Sequence, residues 1–197
     1  MRSVCIIPAR GGSKRIPGKN IRQFHGLPII MYSVAVAKKS RLFDDIYVST
    51  DDEKTDALMR MFGVRVLRRS WSDPHGELGT QEVIARHLHD DPSLNDVRLV
   101  CCLYATAPLV LPTDLLFGYG HVLGGAPFSK AVNANTAEDA GQFYFGWAAA
   151  FEQLMPLLSP RTALIGIEPA RVCDINTEDD WQRAERMYAA LHGLETK

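Results

Sequence analysis

Short apolar runs alternate with amphipathic stretches through the first two thirds of the chain. Residues 3–8 carry Val-Cys-Ile-Ile between Ser3 and Pro8, the pattern of a buried strand. Residues 28–39 read as a helix with Pro28 in its first turn. Residues 46–49 form the next expected strand, and the acidic stretch 51–53 opens a helix running to about Met61. A strand at 65–67 and a polar loop through Gly79 follow, then a helix at 80–89 capped by Thr80. The strand at 99–103 is almost continuously apolar, and 112–123 is the helix after it. Apolar strands alternating with helices predict a mostly parallel sheet with helices on both faces.

The last third changes rhythm. Strands are expected at 142–145, 163–167 and 171–175, with an apolar helix near 148–154. A closing helix spans 177–192, where Thr177 and Asp180 have capping-box spacing behind the acidic pair Glu178 and Asp179. No repeat, low-complexity tract or linker divides the chain, so one domain over 1–197 is expected.

Composition narrows the class. The chain has 197 residues, with 22 Lys plus Arg against 23 Asp plus Glu and a formal charge of −1. That balance argues against a nucleic-acid coat or a polybasic membrane binder. The longest apolar run, 99–105, is far shorter than the roughly 20 residues a membrane helix needs. Cys5, Cys101, Cys102 and Cys173 sit in apolar contexts without metal spacing, as buried reduced thiols would. A cytoplasmic protein is expected. The six histidines (25, 75, 87, 89, 121 and 192) show no metal spacing and are read as non-catalytic.

The informative segment is Pro-Ala-Arg-Gly-Gly-Ser-Lys-Arg-Ile-Pro-Gly-Lys-Asn at 8–20. It leaves the C-terminal end of the first expected strand, where open α/β sheets place their ligand crevice. Gly11 and Gly12 let a ligand approach the backbone, while Arg10, Lys14, Arg15 and Lys19 put four positive charges within ten residues. Backbone donors and converging cations suit a polyphosphate. The loop is not a Walker motif, since five residues separate Gly12 from Gly18 and Asn20 follows Lys19. It is not a dinucleotide fingerprint either, because Gly118 and Gly120 lie late in a helical pattern without a third glycine.

This loop resembles the N-terminal signature of the acylneuraminate cytidylyltransferases. The likeness continues through the segments at 28–40 and 46–53, FGVRVLRR at 62–69 and the Thr-Ala-Pro-Leu of 106–109. Residues 102–108, 139–144 and 172–181 are most similar to the pseudaminic acid branch. The resemblance implies a three-layer, Rossmann-like nucleotide-diphospho-sugar transferase fold with a mostly parallel, mixed central sheet. It also implies a reaction in which CTP and a nine-carbon α-keto acid sugar give CMP-sugar and pyrophosphate, with Mg²⁺ as cofactor and a homodimer as assembly. Residues 125–160 would form a sugar-binding and dimerisation subregion.

On the same basis Arg10 and Lys19 would hold the triphosphate and leaving pyrophosphate. Ala9, Gly11, Gly12, Ser13 and Asn20 would complete that cradle, with Lys14 and Arg15 secondary. Asp174 is the expected metal ligand. Asn176 stands where the family pattern Asp-Ile-Asp has its second carboxylate, leaving a neutral oxygen for the metal. Asp51 and Asp52 would bind sugar hydroxyls, orient the basic loop, or serve the next helix N-terminus. Arg68, Thr80 and Gln81 are placed near the nucleotide, or on the surface and at a helix start. Tyr104, Thr106 and Pro108 follow the longest core strand on the crevice side, and Gln142 with Tyr144 would read the sugar's polar groups. The resemblance implies a longer stretch between Ser129 and Asp139 than this sequence has; either the chain is trimmed there, which would leave the sugar pocket incomplete, or a segment is absent from the sequence as given. Other readings are a transferase for another ulosonic acid, or a nucleotide-binding regulator without turnover.

Overall fold

The computed structural model describes residues 1–69, 71 and 78–194. Most of the polar loop before Gly79, and His75 with it, lies outside the described residues. Strands β1 (Arg2–Pro8), β4 (Asp45–Thr50), β5 (Arg65–Arg68), β6 (Val97–Leu103), β7 (Phe128–Asn133), β8 (Asp139–Trp147) and β9 (Ala163–Ile167) build one seven-stranded sheet. Its order is β5-β4-β1-β6-β8-β7-β9. All neighbours are parallel except around β8, which is antiparallel to both β6 and β7. A two-stranded hairpin of β2 (Gln23–Phe24) and β3 (Leu27–Pro28) lies apart.

Side-chain alternation along the strands divides the core into two layers. Cys5, Ile7, Leu99 and Cys101 face α1 (Ile30–Ser40), α2 (Glu53–Met61) and α4 (Pro112–Leu123). Val4, Ile6, Val100 and Cys102 face the other way, against α3 (Thr80–Asp90) and α5 (Ala148–Glu152). The expected three-layer α/β architecture with a mixed, mostly parallel sheet is therefore the one observed, and all four cysteines are free and buried. A third apolar cluster joins Ile16, Phe24, Ile29, Leu109, Cys173 and Ile175 to Trp181 and Ala184 of α6 (Glu178–His192).

Several local expectations change. Pro28 belongs to β3 rather than the first turn of α1. Thr80 is the first residue of α3, and Gly79 caps it, its amide donating to Glu82 Oε2 over 2.7 Å. Residues 171–175 form no strand. Their alternating burial is real, but Arg171 turns inward to Asp114 (2.5 and 3.1 Å) and its carbonyl accepts from Gln142, so the segment runs extended without a ladder.

The supposed connector 130–138 holds most of β7 and a tight turn. Asn133 N donates to Glu138 O, Ala137 N donates to Asn133 O, and Ala137 takes φ 58°. Strand β7 is hard to recognise because it is buried on both faces yet carries Ser129 and Lys130 among its buried residues. Ser129 is satisfied by the Gly118 carbonyl at 2.8 Å, and Lys130 by Asp139 at 2.9 Å.

Reversal of β8 has a positional consequence. Its N-terminal half lies at the same end as the C-termini of the parallel strands, with Phe143 opposite Leu103 and Gln142 O accepting from Tyr104 N at 2.9 Å. Asp139, Gly141 and Tyr144 are thus carried to the edge where the loops after β1 and β6 emerge.

Candidate active site

The loop after β1 is pinned before it reaches the cleft. Ile16, 1% exposed amid the basic residues, plugs into the cluster under α6. Arg22 grips Glu178 through both guanidinium nitrogens (2.6 and 2.7 Å) and lies over the Trp181 ring. Asn20 Nδ2 donates to Arg10 O at 3.0 Å. From the other side Asp51 Oδ1 accepts from Gly11 N at 2.8 Å, while Asp52 caps α2 through the Thr55 amide and hydroxyl. The two neighbouring carboxylates therefore divide the work of orienting the basic loop and starting the helix.

Above this scaffold opens a cleft of about 540 Å³. Arg10, Ser13, Lys14, Arg15, Lys19 and Asn20 form one wall. Gly79, Thr80, Tyr104, Thr106 and Asn176 also line the cleft. Most of the residues singled out by sequence thus converge on one cavity at the C-terminal ends of β1 and β6, as expected of a doubly wound sheet. The remainder fall elsewhere. Ala9 is buried beneath the loop, bonded to Ser49 O through its amide and to Thr50 Oγ1 through its carbonyl. Gly11 has its amide committed to Asp51, and Gly12 is open.

Arg68 points away and pairs with Asp56 at 3.0 Å; its neighbour Arg69, the first residue past β5, lines the cleft. Gln142 is buried, its amide donating to Arg171 O at 2.6 Å, and lines neither described cavity.

Lys19 is the most enclosed cation of the basic loop. Its Nζ donates to Ile175 O at 2.6 Å. Burial lowers its pKa, and Arg15 and Arg10 add to that, while the nearby Asp174 carboxylate opposes it. A crowd of partly desolvated positive charge is what an incoming polyanion relieves.

At the cleft Arg15 Nη2 donates to Asn176 Oδ1 (2.9 Å), and Asn176 Nδ2 donates to Asp174 Oδ2 (2.6 Å). Asp174 also abuts Gly141, where φ is +61° and an added Cβ would lie 3.0 Å from the carboxyl carbon. Among the described residues no group of three or more His, Cys, Asp or Glu is arranged to hold a metal. A lone carboxylate beside a cationic cleft could serve a magnesium ion held mainly by an anionic ligand, since that ion keeps its waters and uses few protein ligands.

A second cavity of about 380 Å³ adjoins the first, sharing Gly79, Thr80 and Tyr104 and adding Gln81, Glu82, Tyr144, Leu154 and Leu157. Gln81 Nε2 donates to Met155 O at 2.6 Å and so ties the loop after α5 to α3. Arg69 and the pair Lys130–Asp139 behind Tyr144 are the functional-edge residues that sequence reasoning missed. Only the double arginine at 68–69 offered a signal.

A cytidylyltransferase family profile matches residues 4–119. The chain is 31% identical to the pseudaminic acid cytidylyltransferase of Campylobacter jejuni, with 98% of each chain covered. That alignment spans 230 positions against a 197-residue chain, so the relative carries residues absent here. An N-acylneuraminate cytidylyltransferase of Danio rerio is 27% identical over 92% of this chain and half of its own length. Among solved structures, CMP:2-keto-3-deoxy-manno-octonic acid synthetase complexed with CTP superposes with a TM-score of 0.76 at 15% identity, covering 97% of this chain and all of the other.

Proposed function

The chain belongs to the cytidylyltransferase family, and from that premise we propose that it joins CMP from CTP to pseudaminic acid or a close nonulosonic acid, with release of pyrophosphate. The observation that carries this reading is the convergence of Arg10, Lys14, Arg15 and Lys19 on one cleft beside Tyr104, Thr106 and Thr80. The full-length relative named for pseudaminic acid supports the choice of sugar.

In this reading the triphosphate lies along the basic loop. Arg10 and Lys19 neutralise the charge that grows on the departing pyrophosphate, which is where fixed cations lower the barrier most. Ser13 and Asn20 give neutral donors, and the Gly12 backbone leaves room for the phosphate chain. The base and ribose sit toward Gly79, Thr80 and Arg69. The sugar occupies the second cavity, with its anomeric oxygen at the junction marked by Tyr104 and Thr80. Positioning the attacking oxygen in line with the α-phosphorus then supplies much of the acceleration.

Asp174 would hold Mg²⁺, with Asn176 fixing that carboxylate through its amide. When bound, the ion offsets phosphate charge and helps polarise the α-phosphate. The short hairpin at 133–139 leaves the sugar pocket bounded by this chain's α3, the loop after α5 and β8. A homodimer is the expected assembly, and Leu116, Phe117 and Leu123, exposed on α4, offer apolar surface for a second copy to cover. No helix among the described residues is long and apolar enough to cross a membrane.

The test is pyrophosphate release from CTP and Mg²⁺ with a panel of nonulosonic and ulosonic acids, alongside calorimetric titration of CTP, UTP and ATP. Turnover with pseudaminic acid and selective CTP binding are expected. Equal binding of the three nucleotides, or CTP binding without turnover of any sugar, would overturn the reading.

A further inference from the structure

Arg69 is a cleft cation braced from the interior of the sheet. It is the first residue past β5, and its amide donates to Thr50 O at 3.0 Å, extending the pairing with β4 by one bond. Its Nε donates to Ser49 Oγ at 3.0 Å, and Nη2 reaches Ser49 O at 3.4 Å. Ser49 is fully buried on β4, and its Oγ lies 2.7 Å from His87 Nε2 on α3. Trp71 packs against the imidazole with ring centres 4.7 Å apart. Arg69 lines the cleft, whereas Ser49 and His87 are not among the described residues that line it.

Counting protons gives this chain of contacts its direction. An arginine Nε–H only donates, so Ser49 Oγ accepts there and turns its own hydrogen to His87. His87 Nε2 must then accept, which requires a neutral ring with its hydrogen on Nδ1. Burial, and then the charge of Arg69, lower the pKa of this ring to about 4 against Asp91 and Asp90, so it is neutral near pH 7. An apolar pair of similar shape would fill the space between β4 and α3 at little cost to the fold. What such a pair could not do is keep a long, flexible arginine side chain in one plane.

We propose that Ser49 and His87 are positioning residues that hold the Arg69 guanidinium against the nucleotide base and so set the preference for CTP over UTP. This rests on the proposed function, which lays the base toward Arg69. Arginine offers donors alone, and cytosine presents two adjacent acceptors, O2 and N3, whereas uracil carries a hydrogen on N3. A guanidinium fixed in one plane turns that difference into affinity, and one that swings away does not. Ser49 and His87 touch no substrate in this arrangement; they act through Arg69.

Calorimetric titration of CTP and UTP, together with steady-state pyrophosphate release, compares the wild type with Ser49→Ala, His87→Leu, His87→Gln and Arg69→Ala. Ser49→Ala should raise KM for CTP about tenfold with kcat within about twofold, because the base contact is alike in ground and transition states. It should narrow the preference for CTP over UTP by a similar factor. His87→Leu should do the same, whereas His87→Gln, whose amide oxygen can still accept from Ser49, should stay close to wild type. In an Arg69→Ala background Ser49→Ala should change neither quantity further, the non-additivity of residues that act as one unit. If His87→Leu fails to fold, Ser49→Ala and the double variant still decide. Ser49→Ala with the wild-type KM and nucleotide preference overturns the clamp alone, and so does an effect that persists undiminished without Arg69. A wild type that binds both nucleotides equally, or turns over no sugar, overturns the proposed function and, with it, the base assigned to Arg69.

Discussion

Lys19 Nζ donates to the carbonyl oxygen of Ile175 over 2.6 Å, although 156 residues separate them in sequence. The contact ties the basic loop after β1 to the extended segment before α6. That segment is itself locked by Ile175 in the cluster with Ile16 and Trp181. The ammonium is thereby aimed before any nucleotide arrives, and its burial, which lowers the pKa, leaves it poorly hydrated. Such a preorganised charge interacts more strongly with a polyanion than a solvated surface lysine does.

Lys19→Ala and Arg10→Ala should therefore each lower kcat/KM for CTP by on the order of 10²-fold, the loss associated with one transition-state charge partner. Lys19→Arg should not restore activity, because a planar guanidinium cannot reproduce a point donor seated on one carbonyl. Steady-state pyrophosphate release checks all three. Near-normal kinetics in both alanine variants would remove the loop from the chemistry.

Much of this arrangement could be read from the chain, and the exceptions share a cause. The apolar runs at β1, β4 and β6 are unambiguous because both faces of those strands are buried. The glycines and cations at 10–19 stand out against a nearly neutral protein. Strand β7 does not, since Lys130 reads as solvent-facing until its partner Asp139 is brought across the hairpin. Arg69 is hidden for a related reason. Sequence cannot say where β5 stops, and one residue decides whether Arg68 or Arg69 meets the cleft. The segment 171–175 shows the converse, with strand-like alternation and no neighbouring edge to pair with. Local pattern reports which residues are buried, whereas partners far along the chain decide what holds them.

Gly11 and Gly12 should separate cleanly on substitution. A Cβ on Gly11 would stand 2.7 Å from the Asp52 Cβ, and Asp52 cannot yield without releasing the Thr55 cap. A Cβ on Gly12 meets nothing within 4 Å. Gly11→Ala should cost about 1–3 kcal/mol, as overpacking does, and weaken CTP binding by displacing Arg10. Gly12→Ala should leave the melting temperature within a degree or so of wild type, within the range usual for a surface change. Thermal denaturation of the two variants side by side is the measurement.

His87 gives an acid-side prediction. Its ring is 2% exposed, with Nε2 2.7 Å from Ser49 Oγ and Trp71 stacked at a tilt. Burial, and then Arg69, lower its pKa from 6.5 to about 4, against the smaller opposing pull of Asp91 and Asp90. Between those values the unfolded chain binds a proton that the folded protein refuses, so stability rises with pH across that window. The contribution is complete above about pH 7 and is lost progressively as pH falls from 6.5 toward 4, by up to about 3 kcal/mol. Urea denaturation of wild type and His87→Gln at pH 7.5 and 4.5 checks this. The variant should lose less stability on acidification, and parallel losses would contradict the buried neutral imidazole.

Asn176 is the place where this chain departs most clearly from the resemblance, and the geometry predicts what restoring a carboxylate would do. As an amide, Asn176 satisfies both neighbours at once, accepting from Arg15 at 2.9 Å and donating to Asp174 at 2.6 Å. An aspartate could still accept from Arg15, but it would set a second negative charge against Asp174 at hydrogen-bonding distance. Two carboxylates so close cannot both ionise without a cation between them. In metal-free buffer Asn176→Asp should therefore lower the melting temperature, and Mg²⁺ should recover it, whereas wild type should respond little to the ion alone. With CTP and sugar present, the Mg²⁺ concentration giving half-maximal rate should fall several-fold in the variant, because the added charge favours the ion. Thermal shift and rate, each titrated with Mg²⁺, measure the two halves of the argument separately. Stability that ignores Mg²⁺ in Asn176→Asp would mean that Asp174 does not face the metal. A stabilised but inactive variant would mean that the neutral amide is needed to leave the phosphates their share of the ion.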